Sequence, residues 1–326
     1  MSESCSSQSA SIGEPIAGTA PEAQAWVVIE QPGPWGRQAL LDSHLDPTLG
    51  RLLVEAAAGT GTTILLARHP DRLERSGAAE GPGGLVRNVW VAHTAPGDTR
   101  MRHGVTSDID AIVTWDFAAL AQGILPAFGT ATREPVLFIC THSGRDQCCA
   151  IGGRALLTAT LDGLDQHDRA TVWESSHIGG HRFAPTALSL PAGTVFGRLS
   201  PGDIDRIRAD ESARIVAPAN VRGRSAFPQP LQAAEIAVRV AADVIDRDVL
   251  DVLWVRDGRA MPVRPGHPTP TATALLAEVR HVDGRAWHVS LRRHELAATR
   301  AESCGGEQVS AHAWRAEGVS ACRPWA

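Results

Sequence analysis

The sequence predicts an α/β protein in which a mixed sheet is flanked by helices, and three features of the chain support this fold class. Short apolar segments with strand character alternate with helix-like segments between residues 23 and 217. Two further apolar segments are separated only by Pro-Ala-Gly at 191–193, which is typical of a β-hairpin. Hydrophobic residues make up 43% of the 326 residues, enough to build the cores of two or three domains.

The first predicted unit covers residues 23–125. It follows a polar segment rich in Ser and Ala, residues 1–22, that we expect to be disordered. The apolar periodicity of the unit predicts a strand at 26–29, a helix at 47–58 and strands at 62–67 and 88–92. The Gly- and Pro-rich stretch 77–84 is typical of a loop between the last two strands.

The second predicted unit covers residues 126–217 and has a strand, helix, strand, short helix, hairpin and final helix in that order. The apolar segments place these elements at 136–139, 150–164, 170–173, 187–190 and 194–197, with the final helix beginning near 201. This is the thioredoxin-like order, so we expect a thioredoxin-like central domain with a mixed sheet. The first unit begins in the same way and is interpreted as a degenerate thioredoxin-like copy.

The third predicted unit covers residues 218–326 and combines a helix with strand segments, which predicts an α+β domain. We expect a helix at 230–245, a Pro-rich loop at 262–270 and a strand at 286–291. No motif in this unit indicates what it does. The sequence likewise assigns no role to its two cysteines, Cys304 and Cys322, or to Cys5.

The charge and hydropathy of the chain argue against several classes of protein. The formal net charge of −5 disfavours nucleic-acid binding, which requires a basic surface. No stretch of about 18 apolar residues is present, so we predict no membrane span. Residues 1–21 lack the pattern of a secretory signal. We therefore expect a cytoplasmic protein whose six cysteines stay reduced, which disfavours a disulfide framework.

Cysteine and histidine residues cluster in two segments of the second unit. Cys140, Cys148 and Cys149 lie within ten residues of one another, directly after a predicted strand. His177 and His181 follow the next strand, and the glycines between them allow a close turn. Cys149 lies at a predicted helix start, where partial positive charge favours a thiolate. Two thiolates and two imidazoles from these segments predict a four-ligand site for zinc or an iron–sulfur cluster.

Other interpretations of the same residues remain open at this point. Buried cysteines and surface histidines are common without any metal. A structural zinc site usually has Cys-x2–4-Cys spacing, whereas eight residues separate Cys140 from Cys149. A Rieske centre needs a second Cys-x-x-His box, and none follows Cys149. A disulfide between Cys148 and Cys149, used in thiol exchange, lacks the Cys-x-x-Cys pattern.

The motifs CTHSGRDQCC at 140–149 and HIGGHRFAP at 177–185 resemble those of the sucrase/ferredoxin-like family, thioredoxin-like proteins that carry a [2Fe–2S] cluster. The resemblance extends over nearly the whole chain through EQPGPWG at 30–36, TVFGRLSP at 194–201 and RSAFP at 224–228. It implies a cluster with two cysteine and two histidine ligands, namely Cys140, Cys149, His177 and His181. Cys148 then remains as a neighbour and an alternative ligand.

This resemblance implies an electron carrier rather than an enzyme with a substrate of its own. Imidazoles in place of two thiolates raise the reduction potential above that of all-cysteine ferredoxins. Because each ligand imidazole keeps one ring N–H that can lose its proton, we predict that electron transfer is coupled to proton transfer. We expect a protein redox partner, for which Arg145 and Arg182, beside the ligands, are candidate contacts.

Two alternative functions belong to other classes. One is a zinc-stabilised binding module without a redox role. The other is an enzyme, either a thiol oxidoreductase that uses Cys148 and Cys149 or the hydrolase that the word sucrase implies. Sucrose hydrolysis needs two carboxylates flanking a sugar, and the spacing of Asp and Glu in this chain establishes no such pair.

Overall fold

The computed structural model describes residues 3–70, 80–81, 84–263 and 270–324, which form two large sheets and the helices packed against them. The α-helices are α1 Cys5–Ser11, α2 Ala39–Asp42, α3 Pro47–Ala57, α4 Phe117–Ala121, α5 Arg154–Asp162, α6 Gln166–Arg169, α7 Pro201–Ala213 and α8 Gln229–Ala242. Short 3-10 helices cover Asp110–Thr114 and His181–Phe183, and a π-helical turn covers Cys149–Gly153.

The strands of the first large sheet come from residues 25–224. In chain order they are β1 Ala25–Glu30, β2 Thr62–Arg68, β5 Arg87–His93, β6 Arg100–Thr106, β7 Thr130–Thr132, β8 Val136–Cys140, β9 Val172–Ser175, β10 Ala187–Leu190, β11 Thr194–Phe196 and β12 Val221–Arg224. Between β2 and β5, the chain forms a separate two-stranded ribbon from β3 Glu80–Gly81 and β4 Gly84–Leu85.

The ten strands follow the order β12–β11–β10–β8–β9–β2–β1–β5–β6–β7. β8 is parallel to β9 and antiparallel to β10, which pairs antiparallel with β11. In the other half, β1 is likewise parallel to β2 and antiparallel to β5, and β5 pairs antiparallel with β6. The two halves meet where β2 pairs antiparallel with β9. The predicted α/β class with a mixed sheet is confirmed, and the two halves of the sheet repeat the same strand order and directions.

The central strands of each half are buried on both faces because their sequences are apolar throughout. In β1, Trp26 enters one core and Val27 the other. In β8, Leu137 and Ile139 face a core built with α5 and α7. Side chains alternate along a strand, so Cys140 shares the face of Phe138 and enters the same core as Trp26. The side chain of Cys140, the last residue of β8, therefore points into the protein interior at the carboxyl-terminal end of the strand.

Helix ends follow local sequence signals. Asp46 caps α3 by accepting hydrogen bonds from the backbone N–H groups of the first turn, and Pro47 occupies the first helical position. Ser200 and Asp203 form a capping box at the start of α7. The helix expected at 150–164 is divided, since it begins as the π-helical turn and becomes regular only in α5.

The C-terminal unit is α+β, as predicted, but it begins at α8, because β12, which lies inside the expected range 218–326, belongs to the first sheet. Its strands are β13 Leu250–Arg256, β14 Arg259–Met261, β15 Ala274–His281, β16 Ala286–Ala301 and β17 Gln308–Cys322. They form an antiparallel sheet in the order β14–β13–β15–β16–β17, onto which α8 buries Leu231 and Val238. The strand expected at 286–291 is the beginning of a 16-residue strand that pairs with the 15-residue β17. The turn between these two strands carries Cys304.

The described part of the N-terminal segment, residues 3–22, is folded, which corrects the disorder expected there. It contains α1, and Cys5 and Glu14 are buried. Glu14 accepts hydrogen bonds of 2.8 Å from both Arg182 and Arg300. These partners lie 168 and 286 residues away along the chain, so the local composition carried no sign of them.

Three further expectations can be compared with the structure. No helix within 3–70, 80–81, 84–263 and 270–324 is long and apolar enough to cross a bilayer. All six cysteines are free thiols, in agreement with the absence of a disulfide framework. The loops expected at 77–84 and 262–270 lie largely outside the described residues.

Candidate metal centre

Two cysteines and one histidine come together where the central strands end. Cys140 ends β8, Cys149 begins the π-helical turn, and His177 follows β9. Their ligating atoms, two Sγ and one ring nitrogen, lie within 4.8 Å of one another. Gly153 allows the π-helical turn to approach the strand, because a Cβ there would collide with the carbonyl oxygen of Cys140. The two cysteines are each only 1% exposed, so a metal held there would be shielded from solvent.

His142 positions the turn that carries His177. The backbone N–H of His177 donates to Nδ1 of His142 over 3.1 Å. The ring Nε2–H of His142 in turn donates to the carbonyl oxygen of Gly36 over 2.7 Å. Burial lowers the pKa of His142, so its ring is neutral and protonated on Nε2, as these two bonds require. Trp35 contacts the ring edge-on with centroids 5.8 Å apart. His142 and Trp35 stood in separate sequence motifs, and only the fold shows that one supports the other.

His181 lies beside His177, with ring centroids 5.5 Å apart. Its Nε2–H donates over 2.8 Å to the carbonyl oxygen of Glu302, in the turn between β16 and β17. Its Nδ1 is buried and has no hydrogen-bond partner in the described part of the chain. An unsatisfied buried nitrogen is costly unless it binds another species, so Nδ1 is suited to ligate a metal. His181 lies outside the 4.8 Å group that joins His177 to the two cysteines.

The two buried sulfurs favour one negative charge between them. A hydrogen bond from Cys149 holds the pKa of Cys140 well below its usual range, despite burial, and His177 adds to this effect. The pKa of Cys149 is raised because its proton makes that hydrogen bond, because the thiol is buried, and because Cys140 is negatively charged. A metal cation would offset the second negative charge and allow both sulfurs to ligate.

Arg222 is a buried cation beneath the turn that joins the two histidines. Its side chain is 1% exposed and donates to the carbonyl oxygen of Gly179 over 2.8 Å and to the hydroxyl of Thr19 over 3.1 Å. Gly180 has φ +72°, and a Cβ at this position would collide with the guanidinium. Burial lowers the pKa of Arg222 to about 9, and the negative charges of the two site cysteines oppose that decrease. The sequence showed this arginine only as part of the third unit.

Cys148 belongs to a different group from its neighbour Cys149. The Sγ of Cys148 lies 3.0 Å from Sγ of Cys304 and 3.3 Å from Sγ of Cys5. Asp146 completes this group, whose ligating atoms also lie within 4.8 Å of one another. The structure therefore places Cys149 with the first group and Cys148 with the second.

The two arginines that the sequence suggested as partner contacts have different environments. Arg145 is exposed. Arg182 is ion-paired with the buried carboxylate of Glu14, and its guanidinium lies over the ring of Phe183 at 4.3 Å. Arg145 is therefore the better placed of the two to meet another protein.

Comparison with protein families finds a match that covers most of the first two thirds of the chain. A family model described as Sucrase/ferredoxin-like matches residues 16–223. This range contains the first group of cysteines and histidines and ends just after Arg222. Comparison with curated proteins and with solved structures finds no match.

Proposed function

Because this chain belongs to the sucrase/ferredoxin-like family, we propose that it is an electron-transfer protein whose [2Fe–2S] cluster is held by two cysteines and two histidines. The ligands in this proposal are Cys140, Cys149, His177 and His181. The observation that carries it is the buried Nδ1 of His181, which has no hydrogen-bond partner among the described residues and lies beside a compact group of two sulfurs and a ring nitrogen. Such a mixed sulfur and nitrogen donor set suits a Rieske-type cluster, in which two histidines replace two cysteines on one iron.

When bound, the cluster supplies one-electron chemistry at a higher potential than an all-cysteine cluster. The protein holds the ligands in place for it. His142 fixes the backbone of His177, and the carbonyl oxygen of Glu302 fixes the ring of His181 by accepting from its Nε2–H. This hydrogen bond leaves Nδ1 of His181 as the ligating atom.

The N–H groups that the ligand rings retain support coupling of electron transfer to a proton. Loss of such a proton favours the oxidised form, so the reduction potential decreases as pH rises. The measurement is the midpoint potential across neutral to alkaline pH. A constant potential over this range would rule out the proton coupling.

A redox partner would approach at the histidine turn, because the cysteine ligands are buried whereas His181 keeps 17% of its side chain exposed. Arg145 is the exposed cation on the segment that carries the cysteines, so an acidic protein surface is the complementary partner. Arg145→Glu should slow reduction by such a partner, most strongly at low salt. An unchanged rate would dismiss this contact. Free thiols and a thiolate-ligated cluster also suit a cytoplasmic location.

The first experiment is the iron, sulfide and zinc content of the chain purified without oxygen, together with its visible and EPR spectra. We expect about two irons and two sulfides per chain and a brown colour. Cys140→Ser and Cys149→Ser should each lose the iron, and Cys148→Ser is the matched control that should retain it. Iron loss in Cys148→Ser but not in Cys149→Ser would shift the ligand assignment by one residue.

A second candidate function is a zinc-stabilised binding module. The compactness of the group formed by Cys140, Cys149 and His177 favours it, because three ligating atoms within 4.8 Å also fit a single ion. His181→Cys separates the two functions. It should keep a coloured cluster with a lower potential if iron–sulfur is present, and stay colourless with zinc. Zinc without iron or sulfide at the first group would overturn the electron-transfer proposal.

A further inference from the structure

We propose that Cys5, Cys148, Cys304 and Asp146 form a second metal site that binds one Zn²⁺ ion. It has ligands of its own but adjoins the first site, since Oδ2 of Asp146 lies 3.8 Å from Nε2 of His181. The three sulfurs lie 3.0, 3.3 and 3.7 Å from one another, and Oδ1 of Asp146 lies 3.9 Å from Sγ of Cys5. Cys5, Asp146 and Cys148 are buried. Three thiols and a carboxylate, of which only Cys304 is partly exposed, thus come together from three distant segments of the chain.

The spacing of these atoms suits tetrahedral zinc. Sulfurs bound at about 2.3 Å to one zinc ion lie about 3.8 Å apart. The Cys5–Cys304 separation of 3.7 Å matches this value, and the other two, at 3.0 and 3.3 Å, would widen when the ion binds. A disulfide requires about 2.05 Å, well below the shortest S–S distance in the group. Thiolates are soft ligands that select zinc over magnesium or calcium. Each thiol that ligates the ion releases its proton, and no electron is transferred.

Asp146 is held in a position that serves the site. Its Oδ1 accepts the backbone N–H of Cys148 over 2.8 Å, and its Oδ2 accepts the backbone N–H of Cys304 over 3.1 Å. One carboxylate therefore orients two of the three cysteines and points at the third. Such fixation of ligand-bearing backbone is typical of the hydrogen bonds that surround metal sites.

The proposed zinc would join three parts of the molecule. Cys5 lies on α1, Cys148 precedes the π-helical turn, and Cys304 lies in the turn between β16 and β17. The pairs are separated by 143, 156 and 299 residues along the chain. The same β16–β17 turn presents the carbonyl oxygen of Glu302 to His181. The pairing of Ala301 with Gln308 and the backbone hydrogen bond from Glu302 to Glu307 also hold this turn, so loss of the zinc alone would leave the contact with His181 in place.

The test is the zinc and iron content of the full chain, purified anaerobically with a reductant and then equilibrated with ZnCl₂ and desalted. We expect one zinc per chain in addition to any iron. Cys5→Ser/Cys304→Ser should lower zinc occupancy about tenfold or more and leave the iron unchanged. Cys140→Ser/Cys149→Ser should do the reverse. The two proposals can therefore fail independently.

Cys322→Ser is the matched control, since this cysteine lies with Glu278 and His288 in another group of potential ligands. It should retain the zinc, and loss of zinc in this variant alone would place the ion there and overturn the proposal.

Co²⁺ added to zinc-free protein provides a second readout that does not depend on stability. A thiolate-to-cobalt absorption band should appear in the wild type and be lost in Cys5→Ser/Cys304→Ser.

Zinc should also slow backbone hydrogen exchange at residues 302–308 in the wild type and not in Cys5→Ser/Cys304→Ser. Three results would overturn the proposal: no zinc above the level of that double variant, copper in place of zinc, or a disulfide between any two of the three cysteines in the reduced protein.

Discussion

Replacement of Arg222 by Met should lower the reduction potential of the proposed cluster. With two thiolate and two neutral imidazole ligands, a [2Fe–2S] cluster gains a negative charge on reduction, and a nearby buried cation stabilises that charge. Arg222 is fully buried and donates to the carbonyl oxygen of Gly179, between the two histidines. Burial lowers its pKa to about 9, which still leaves it positively charged at neutral pH. Met keeps an unbranched side chain that reaches about as far as Nε of the arginine, and it removes the charge.

The magnitude follows from the position of the guanidinium beneath the histidine turn. At a separation of about 6–10 Å and an effective dielectric constant of about 20, one unit charge contributes about 2–3 kcal/mol. Since about 2.3 kcal/mol corresponds to 100 mV, we expect the potential to fall by ~70–120 mV. The hydrogen bond to Gly179 is also lost, so the variant should be checked for retained iron first.

The assay is an anaerobic redox titration followed by visible absorbance. Arg222→Lys keeps the charge and should retain most of the wild-type potential. Arg198→Met is the matched control, because Arg222 and Arg198 both lie over the ring of Phe183, at 5.3 and 5.5 Å. The charge interactions of Arg198 are with Glu14 and Arg182 rather than with the site cysteines. An Arg222→Met protein with full iron content and an unchanged potential would refute the role of this charge.

Three other perturbations test the fold around the site. Glu235→Gln should lower the free energy of unfolding in urea by about 3–5 kcal/mol, because it removes the carboxylate shared by the buried Arg224 and Arg239 and leaves Arg224 only a 3.7 Å ion pair with Asp248. A loss below about 1 kcal/mol would contradict this. Burial acts to raise the pKa of Glu14, but its two arginine partners lower it below 4.5 overall. Its ion pairs therefore stabilise the fold above about pH 4.5 and are lost at lower pH. Below about pH 4.5, the melting temperature of Glu14→Gln should therefore change less with pH than that of the wild type. If the two melting temperatures change in parallel with pH, these ion pairs do not stabilise the fold. Gly180→Ala should lower iron retention, since φ is +72° and the added Cβ meets a guanidinium, whereas Gly59→Ala at φ +71° in open space should not.

Much of the fold was predictable because its signals are local. The strands at 26–29 and 136–139 were found from short apolar segments, and they are the central, doubly buried β1 and β8. The helix at 47–58 ends within one residue of α3, because its cap and apolar face lie in the same stretch of sequence. The hairpin at 187–197 was found from its turn. The pairing of β2 with β9, which joins the two halves of the sheet, has no such signal, since its strands lie far apart in the chain.

The folded N-terminal segment is a second case in which contacts between distant residues could not be predicted from the local sequence. Residues 1–22 look disordered by composition because they are polar and carry few large apolar side chains. What holds them is a set of single contacts to distant residues, above all the ion pairs of Glu14 with Arg182 and Arg300. The composition of a segment indicates how much apolar surface it can bury. It does not indicate whether one of its charged residues forms a buried ion pair with a residue far away in the chain.

For the site, the sequence by itself determined the candidate ligands of the first metal centre. The spacings of Cys140 with Cys149 and of His177 with His181 are local properties of two segments, each of which follows a strand. Only the tertiary structure decided which of two adjacent cysteines faces that centre, that a buried Arg222 lies beneath it, and that Cys148 instead meets Cys5 and Cys304. The physical reason is that sulfurs 143 to 299 residues apart are brought together by the packing of whole sheets and helices, which leaves no periodicity or spacing to read in the chain.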